Sequence, residues 1–223
     1  MINMRRLIAL GTLVALCGGC AAPRPFTPGD KSAAGASGSS SPASAPSPSA
    51  SAGGGARSEV VTLSPDLDLV VQWPRTRDTK RAAMVKVLVD YYVETKRAVV
   101  SGGTEEGYKY LVQDEMSRVA YDWVQNFHDN SRSLQGKARL YAIRVKAVVG
   151  VGAEVEMCVN EAELRLTDAE TGFPVAEQPS WTRPPESTYI MVAGVRQGDD
   201  GRWRVKTASH ATLPHPRAKE CQR

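Results

Sequence analysis

The sequence predicts an α+β domain, with helices first and then an antiparallel sheet of four to five strands. Three observations lead there. Between Asp78 and His128 apolar residues recur at helical spacing, whereas from Gln135 to Ser209 they alternate with a period of two. The two patterns are segregated along the chain rather than interleaved, which argues for an antiparallel sheet with helices on one face. Residues 21–58 carry neither pattern and supply no core.

The N-terminus reads as an export signal. Arg5 and Arg6 precede the uncharged run Leu7–Leu16, and small residues follow. About ten apolar residues are too few for the roughly 20 that a membrane-spanning helix needs. Leu16-Cys17-Gly18-Gly19-Cys20 resembles the bacterial lipobox, with Gly18 and Gly19 before the cut and Cys20 as the acylated residue. Cys17 stands where that pattern prefers Leu. The signal is expected to span 1–19, and the protein to sit lipid-anchored on the outer face of the cytoplasmic membrane. An ordinary signal cut near Ala21-Ala22, giving a soluble secreted protein, is the alternative. Residues 20–58 are Ala, Ser, Pro and Gly almost throughout, a composition that stays disordered. As a flexible coil this tether reaches on the order of 35 Å.

From Glu59 to the C-terminus the composition is globular. Glu59–Trp73 holds two apolar patches broken by Ser64-Pro65, and is expected to be an extended lead-in packed along the domain. Asp78 caps a helix running to about Val100. Val85, Leu88, Val89, Tyr92 and Val99 share its apolar face, and Lys86, Asp90, Glu94 and Arg97 its polar one. Ser101-Gly102-Gly103 stops it. A second helix is expected from Thr104, with Glu105 and Glu106 in its first turn. Leu111, Val112, Met116, Val119 and Trp123 give that helix its apolar face. Strands follow over Tyr141–Val149, Ala153–Val159, Ala162–Leu166, Thr188–Arg196 and Arg202–Ser209, the last two forming a hairpin through Gly198-Asp199-Asp200-Gly201.

After export and acylation two cysteines remain, Cys158 and Cys221. An even pair in an oxidising compartment is expected to be a disulfide. A metal site and a reactive thiol are the alternatives, though CxxC spacing is missing. The formal charge of +4 falls to about +2 once Arg5 and Arg6 leave, too little to suggest nucleic acid or an acidic substrate.

In sequence order, Trp73-Pro74, Glu154-Val155-Glu156-Met157-Cys158-Val159-Asn160, Asp168-Ala169-Glu170-Thr171-Gly172, Gly201-Arg202-Trp203-Arg204-Val205 and Cys221 resemble the marks of actinobacterial envelope lipoproteins with a nuclear transport factor 2-like domain. Asn160 stands where that pattern carries an acid. The resemblance covers roughly Val60–Cys221. It implies a curved sheet wrapped by helices into a cone with a partly apolar pocket, and a Cys158–Cys221 disulfide. It implies no single activity, since the fold hosts isomerases, dehydratases, binding modules and dimerisation domains.

Tyr92, Trp123, Tyr189 and Trp203 are the expected pocket-lining residues. An enzyme of this fold would need a tuned carboxylate or His–Asp pair inside the cone. Tyr92, Asp114, Glu115, Tyr121, Asp122 and Tyr189 are the residues that could contribute, but each fits an apolar wall or a solvated helix face better. His128, His210 and His215 lack a ligand spacing, and prolines flank His215. No phosphate loop, GxSxG elbow or HExxH is present. Trp181, in a Pro-rich loop, either anchors a partner or folds over the cone mouth. No cofactor, metal or catalytic residue is therefore expected. The expected partners are the membrane, through N-terminal acyl chains, and an envelope protein or a small apolar ligand. The expected role is a non-catalytic binding or assembly module, with an isomerase or dehydratase acting on a small hydrophobic molecule as the alternative.

Overall fold

Leu67, Leu69 and Val71 alternate along an extended segment and are fully buried, which makes residues 57–73 part of the sheet rather than a lead-in. In a computed structural model of the chain, residues 57–222 are described. The expected signal peptide, Cys20 and the expected tether up to residue 56 lie outside them. The elements are β1 (Arg57–Ser64), β2 (Leu67–Trp73), α1 (Thr79–Val100), α2 (Glu115–Asp129), β3 (Arg132–Val149), β4 (Gly152–Asp168), β5 (Thr188–Gln197) and β6 (Trp203–Thr212), with short 3-10 turns at Gly107–Tyr110, Ser180–Thr182 and Pro216–Cys221. The architecture is α+β, with both helices packed on one sheet.

That sheet has six strands in sequence order, not four or five, and is mixed. β1 and β2 form an antiparallel hairpin around Ser64-Pro65, and β2 then runs parallel to β3, with Leu67 opposite Gly136 and Val71 opposite Leu140. The remaining pairs are antiparallel. Register shifts at Lys137/Arg139, Tyr141/Arg144 and Val145/Ala147 bend the long β3–β4 ribbon. At Gly136 (φ +106°) a Cβ would stand 2.1 Å from the Glu163 carbonyl oxygen, so this close approach admits only glycine.

Asp78 caps α1 by accepting from the Lys80 and Arg81 amides at 2.9 and 3.1 Å. Val85, Leu88, Val89, Tyr92 and Val99 are all buried, and Lys86–Asp90 and Glu94–Arg97 pair on the other face. Gly102 and Gly103, both at positive φ, end the helix. The second helix starts at Glu115, eleven residues later than Thr104. Residues 111–113 are instead tied to β6, since Gln113 donates to the Val205 carbonyl and Val205 to that of Leu111. Backbone bonded to a strand cannot also close helical turns. β3 begins at Arg132, and β4 continues unbroken through Ala162–Leu166.

Cys158 and Cys221 are joined in a disulfide with Cα atoms 5.4 Å apart. The same tail is held by the Tyr141 hydroxyl, which donates to the Cys221 carbonyl, and by Arg144, whose Nη2 lies 2.7 Å from Glu156 and 2.6 Å from Glu220. Core residues from β2 to β6 and both helices, with the partly buried Val61 and Leu63 of β1 against them, pack within residues 57–222, which belong to one compact unit with its own disulfide. No helix among the described residues is long and apolar enough to cross a membrane.

Candidate functional site

Where the ends of α1 and α2 meet the distal halves of β4, β5 and β6, the helices stand off the sheet and leave a cavity of about 760 Å³. Periodicity builds its walls. On α1, Tyr92 and Lys96 are four residues apart, as are Tyr91 and Thr95, so each pair stacks along one face. On α2, Met116, Val119, Trp123 and Phe127 follow the same spacing, with the Trp123 and Phe127 rings 4.7 Å apart. Tyr189 and Met191 on β5, and Ala208, His210 and Thr212 on β6, recur every second residue and share a sheet face.

The floor is a buried ionic cluster. Glu161 on β4 and Lys96 on α1 are 3% and 5% exposed. One carboxylate oxygen, Glu161 Oε1, accepts from the Tyr92 hydroxyl at 2.5 Å and from Lys96 Nζ at 2.8 Å. The Lys96 ammonium also stands 5.0, 4.7 and 5.6 Å from the ring centres of Tyr92, Trp123 and Trp181. Three aromatic faces thus complement a cation already paired to a carboxylate. Burial, then the Glu161 charge, holds the Tyr92 and Tyr189 phenols well above their ordinary pKa. Burial alone pushes Tyr91 up to about 12. All three therefore face the cavity as neutral hydroxyls near neutral pH.

Of the four expected lining residues, Tyr92, Trp123 and Tyr189 line the cavity and Trp203 does not. Trp203 opens β6 opposite Gln197, at the far end of the strand from Ala208–Thr212, and packs in the core beneath Lys80, whose Nζ lies 6.0 Å from its ring. Trp181 folds inward over the cavity with Pro179. Asp114, Glu115, Tyr121 and Asp122 are exposed outside it: Asp114 pairs with Lys206, and Glu115 and Asp122 flank Arg118. His128 pairs with Asp129 on the surface, and His215 Nδ1 accepts from the Arg217 amide. His210 lies at the cavity wall, edge-on to Tyr189. No group of three His, Cys, Asp or Glu among the described residues could hold a metal ion.

The other marks singled out in the sequence are structural. Asp168 accepts from the Thr171 amide and hydroxyl and the Glu170 amide, which holds its carboxyl below the usual range and shapes the turn. Asn160 Oδ1 accepts from the Ala162 amide.

Sequence reasoning missed Lys96 and Glu161, although a signal for each existed. Ala153, Val155, Met157 and Val159 occupy the inward parity of β4, and Glu161 is next in that series. Lys96 follows Tyr92 by four on the apolar face of α1. A charge at an inward position has to be paired, and these two are paired with each other.

No family model matches the chain, and no curated protein does. Among solved structures, the domain is similar to the intermembrane space region of the chloroplast protein ARC6, at 13% identity and TM-score 0.42, covering 62% of this chain and 99% of that one. A protein described as an aromatic ring hydroxylase from Novosphingobium aromaticivorans gives 11%, 0.42, 63% and 94%. A ketosteroid isomerase-like protein from Erwinia carotovora atroseptica gives 11%, 0.41, 62% and 99%.

Proposed function

We propose that this is an exported protein, lipid-anchored through Cys20 to the outer face of the cytoplasmic membrane, whose cone-shaped domain is a non-catalytic module that binds a small, mainly apolar molecule. The observation that carries the binding reading is the cavity itself. Its volume of about 760 Å³ lies in the range of small-molecule sites, and aromatic and aliphatic side chains form most of its lining.

The non-catalytic reading rests on Glu161. A general base needs an oxygen aimed at the substrate proton. Glu161 is almost fully buried, and its Oε1 is taken by Tyr92 and Lys96. In this reading the cluster orients Tyr92, Trp123 and Trp181 as rigid walls and leaves the cavity floor neutral overall.

Native mass spectrometry on residues 52–223, secreted by a bacterial host, tests the binding. A small molecule carried through purification is expected. Anilinonaphthalene sulfonate serves as a probe of the same space: it should bind the parent and lose at least tenfold in affinity in Ala208→Phe, where an added phenyl group occupies the cavity, as a volume of this size would require. An empty domain that also ignores the probe would remove the binding reading, and release of a chemically altered ligand would favour the isomerase or dehydratase alternative.

The anchor is tested separately in the full chain. With Cys20→Ala the protein should move from the membrane fraction to the medium. Retention of this variant, or a parent already free in the medium, would leave the soluble secreted alternative or another mode of attachment.

A further inference from the structure

The end of the sheet away from the cavity carries an unusual combination of side chains. The β3–β4 ribbon turns through Val148-Val149-Gly150-Val151, and these three valines are 42%, 80% and 52% exposed. Valines at a hairpin tip gain nothing from water, and no described element packs over them. Around the tip stand cations. Lys146 is three residues before Val149 on β3. Arg196 pairs across from Gly152 on one side and Arg204 on the other. The Gln197 amide donates to the Val151 carbonyl at 2.8 Å, and Gln197 faces Trp203, over which Lys80 sits. Arg202 lies in the adjoining β5–β6 turn.

The side chains of Lys80, Lys146, Arg196 and Arg202 are exposed and form no salt bridge with any described acid, though Lys80 sits over the Trp203 ring and Arg202 both donates its amide to Asp200 and adds its charge beside that carboxyl. The acids nearby are mostly committed: Asp78 caps α1 and faces Arg81, Asp200 is held by Arg204, and Glu59 accepts from the Trp73 indole. Asp199 in the β5–β6 turn and Glu154 on β4, opposite Ala147 and diagonal to Arg196, remain uncommitted. The surface is thus a narrow apolar wedge inside a mostly unneutralised basic collar.

We propose that this hairpin tip docks the domain onto an anionic phospholipid bilayer, with Val148, Val149 and Val151 entering the headgroup–acyl boundary and the collar meeting lipid phosphates. Magnitudes favour a bilayer over a protein. Three valine side chains fall far short of the roughly 800 Å² per partner that a stable protein interface buries. At a membrane the same wedge suffices, because burial of each valine and attraction of each cation to an anionic surface add separately. The collar supplies specificity for anionic lipid, since a zwitterionic surface offers it no net attraction.

The inference is independent of the cavity's ligand and of acylation, and is tested on residues 52–223, which lack Cys20. This unit should sediment with phosphatidylcholine–phosphatidylglycerol vesicles and stay in solution with phosphatidylcholine alone, and raising the salt should release it. Val149→Asp with Val151→Asp should cut partitioning at least tenfold, given the burial of two valines. Lys146→Glu with Arg196→Glu should do the same while leaving the wedge intact, with melting temperatures near the parent's for both pairs. No sedimentation with the anionic vesicles, equal sedimentation with both compositions, or binding that survives both pairs of substitutions would overturn the proposal. So would salt-insensitive self-association that disappears in Val149→Asp, which would make the tip a contact between copies.

Discussion

Lys96→Met is expected to lower the stability of the domain by about 3–5 kcal/mol, because it leaves the Glu161 carboxylate buried without its counter-ion. Both side chains are 6% or less exposed, so water cannot replace the lost partner. For a domain of this size, each kcal/mol shifts the melting temperature by roughly 2–4 °C, which makes a fall of about 6–20 °C the outcome to look for. The informative companion is Lys96→Met with Glu161→Leu, which removes both charges and offers apolar volume in their place. Replacing a whole buried pair in this way is often neutral or stabilising, so the double variant should recover most of the loss. Urea unfolding of the parent, both single variants and the double variant closes the cycle. A Lys96→Met variant within about 1 kcal/mol of the parent would contradict the buried pairing, since loss of such a partner should cost several times that. The same variants bear on the site: with the pair gone, the three rings lose the charge around which they are arranged, and probe binding should weaken even where stability is restored.

Cys158→Ser is expected to have a comparable effect through a different mechanism. The bridge spans 63 residues, and on the chain-entropy estimate closing such a loop contributes about 4 kcal/mol. Its loss also loosens a set of contacts that depend on the tail being in place: Tyr141 to the Cys221 carbonyl, Arg144 to Glu220, and the fully buried Ala218. The parent treated with dithiothreitol should melt at the same temperature as Cys158→Ser or Cys221→Ser, about ten degrees below the oxidised parent. The tail beyond Leu213 should also become a site of proteolysis. An unchanged melting temperature on reduction would show that the bridge adds nothing to stability.

Much of the fold was legible because single segments satisfied two rules at once. Asp78 was both a good cap and the start of an apolar period, and Gly102-Gly103 both a breaker and a positive-φ pair. The boundaries that were missed are those set from outside the segment. Nothing local in Leu111-Val112-Gln113 says that β6 will claim its backbone, so helical spacing was extended back to Thr104. The lead-in at 59–73 was read as extended, but its parallel partner, β3, lies beyond two helices. The site was half legible in the same sense. Aromatic residues at apolar positions pointed to Tyr92, Trp123 and Tyr189, whereas Lys96 and Glu161 occupy inward positions with side chains normally assigned to solvent. Each looks anomalous alone and becomes intelligible as a pair, and pairing across 65 residues is a tertiary fact. Trp203 was misplaced because a bulge in β6, between Val205 and Thr207, moves the inward face from Trp203 and Val205 at one end to Ala208, His210 and Thr212 at the other, and nothing local in the strand announces it.

The parallel contact between β2 and β3 also bears on the order of assembly. Each antiparallel pair in the sheet is joined by a local turn or loop, so β3 to β6 can zip progressively from short-range contacts. β2 can meet β3 only after α1 and α2 have been accommodated between them, and its chain-closure entropy must be met before any hydrogen bond there compensates. Until then Leu67, Leu69 and Val71 have no burial site. The N-terminal hairpin is therefore the late-closing edge of the molecule: a seam whose opening would expose apolar surface first at β2, while the β3–β6 meander and its disulfide stay intact.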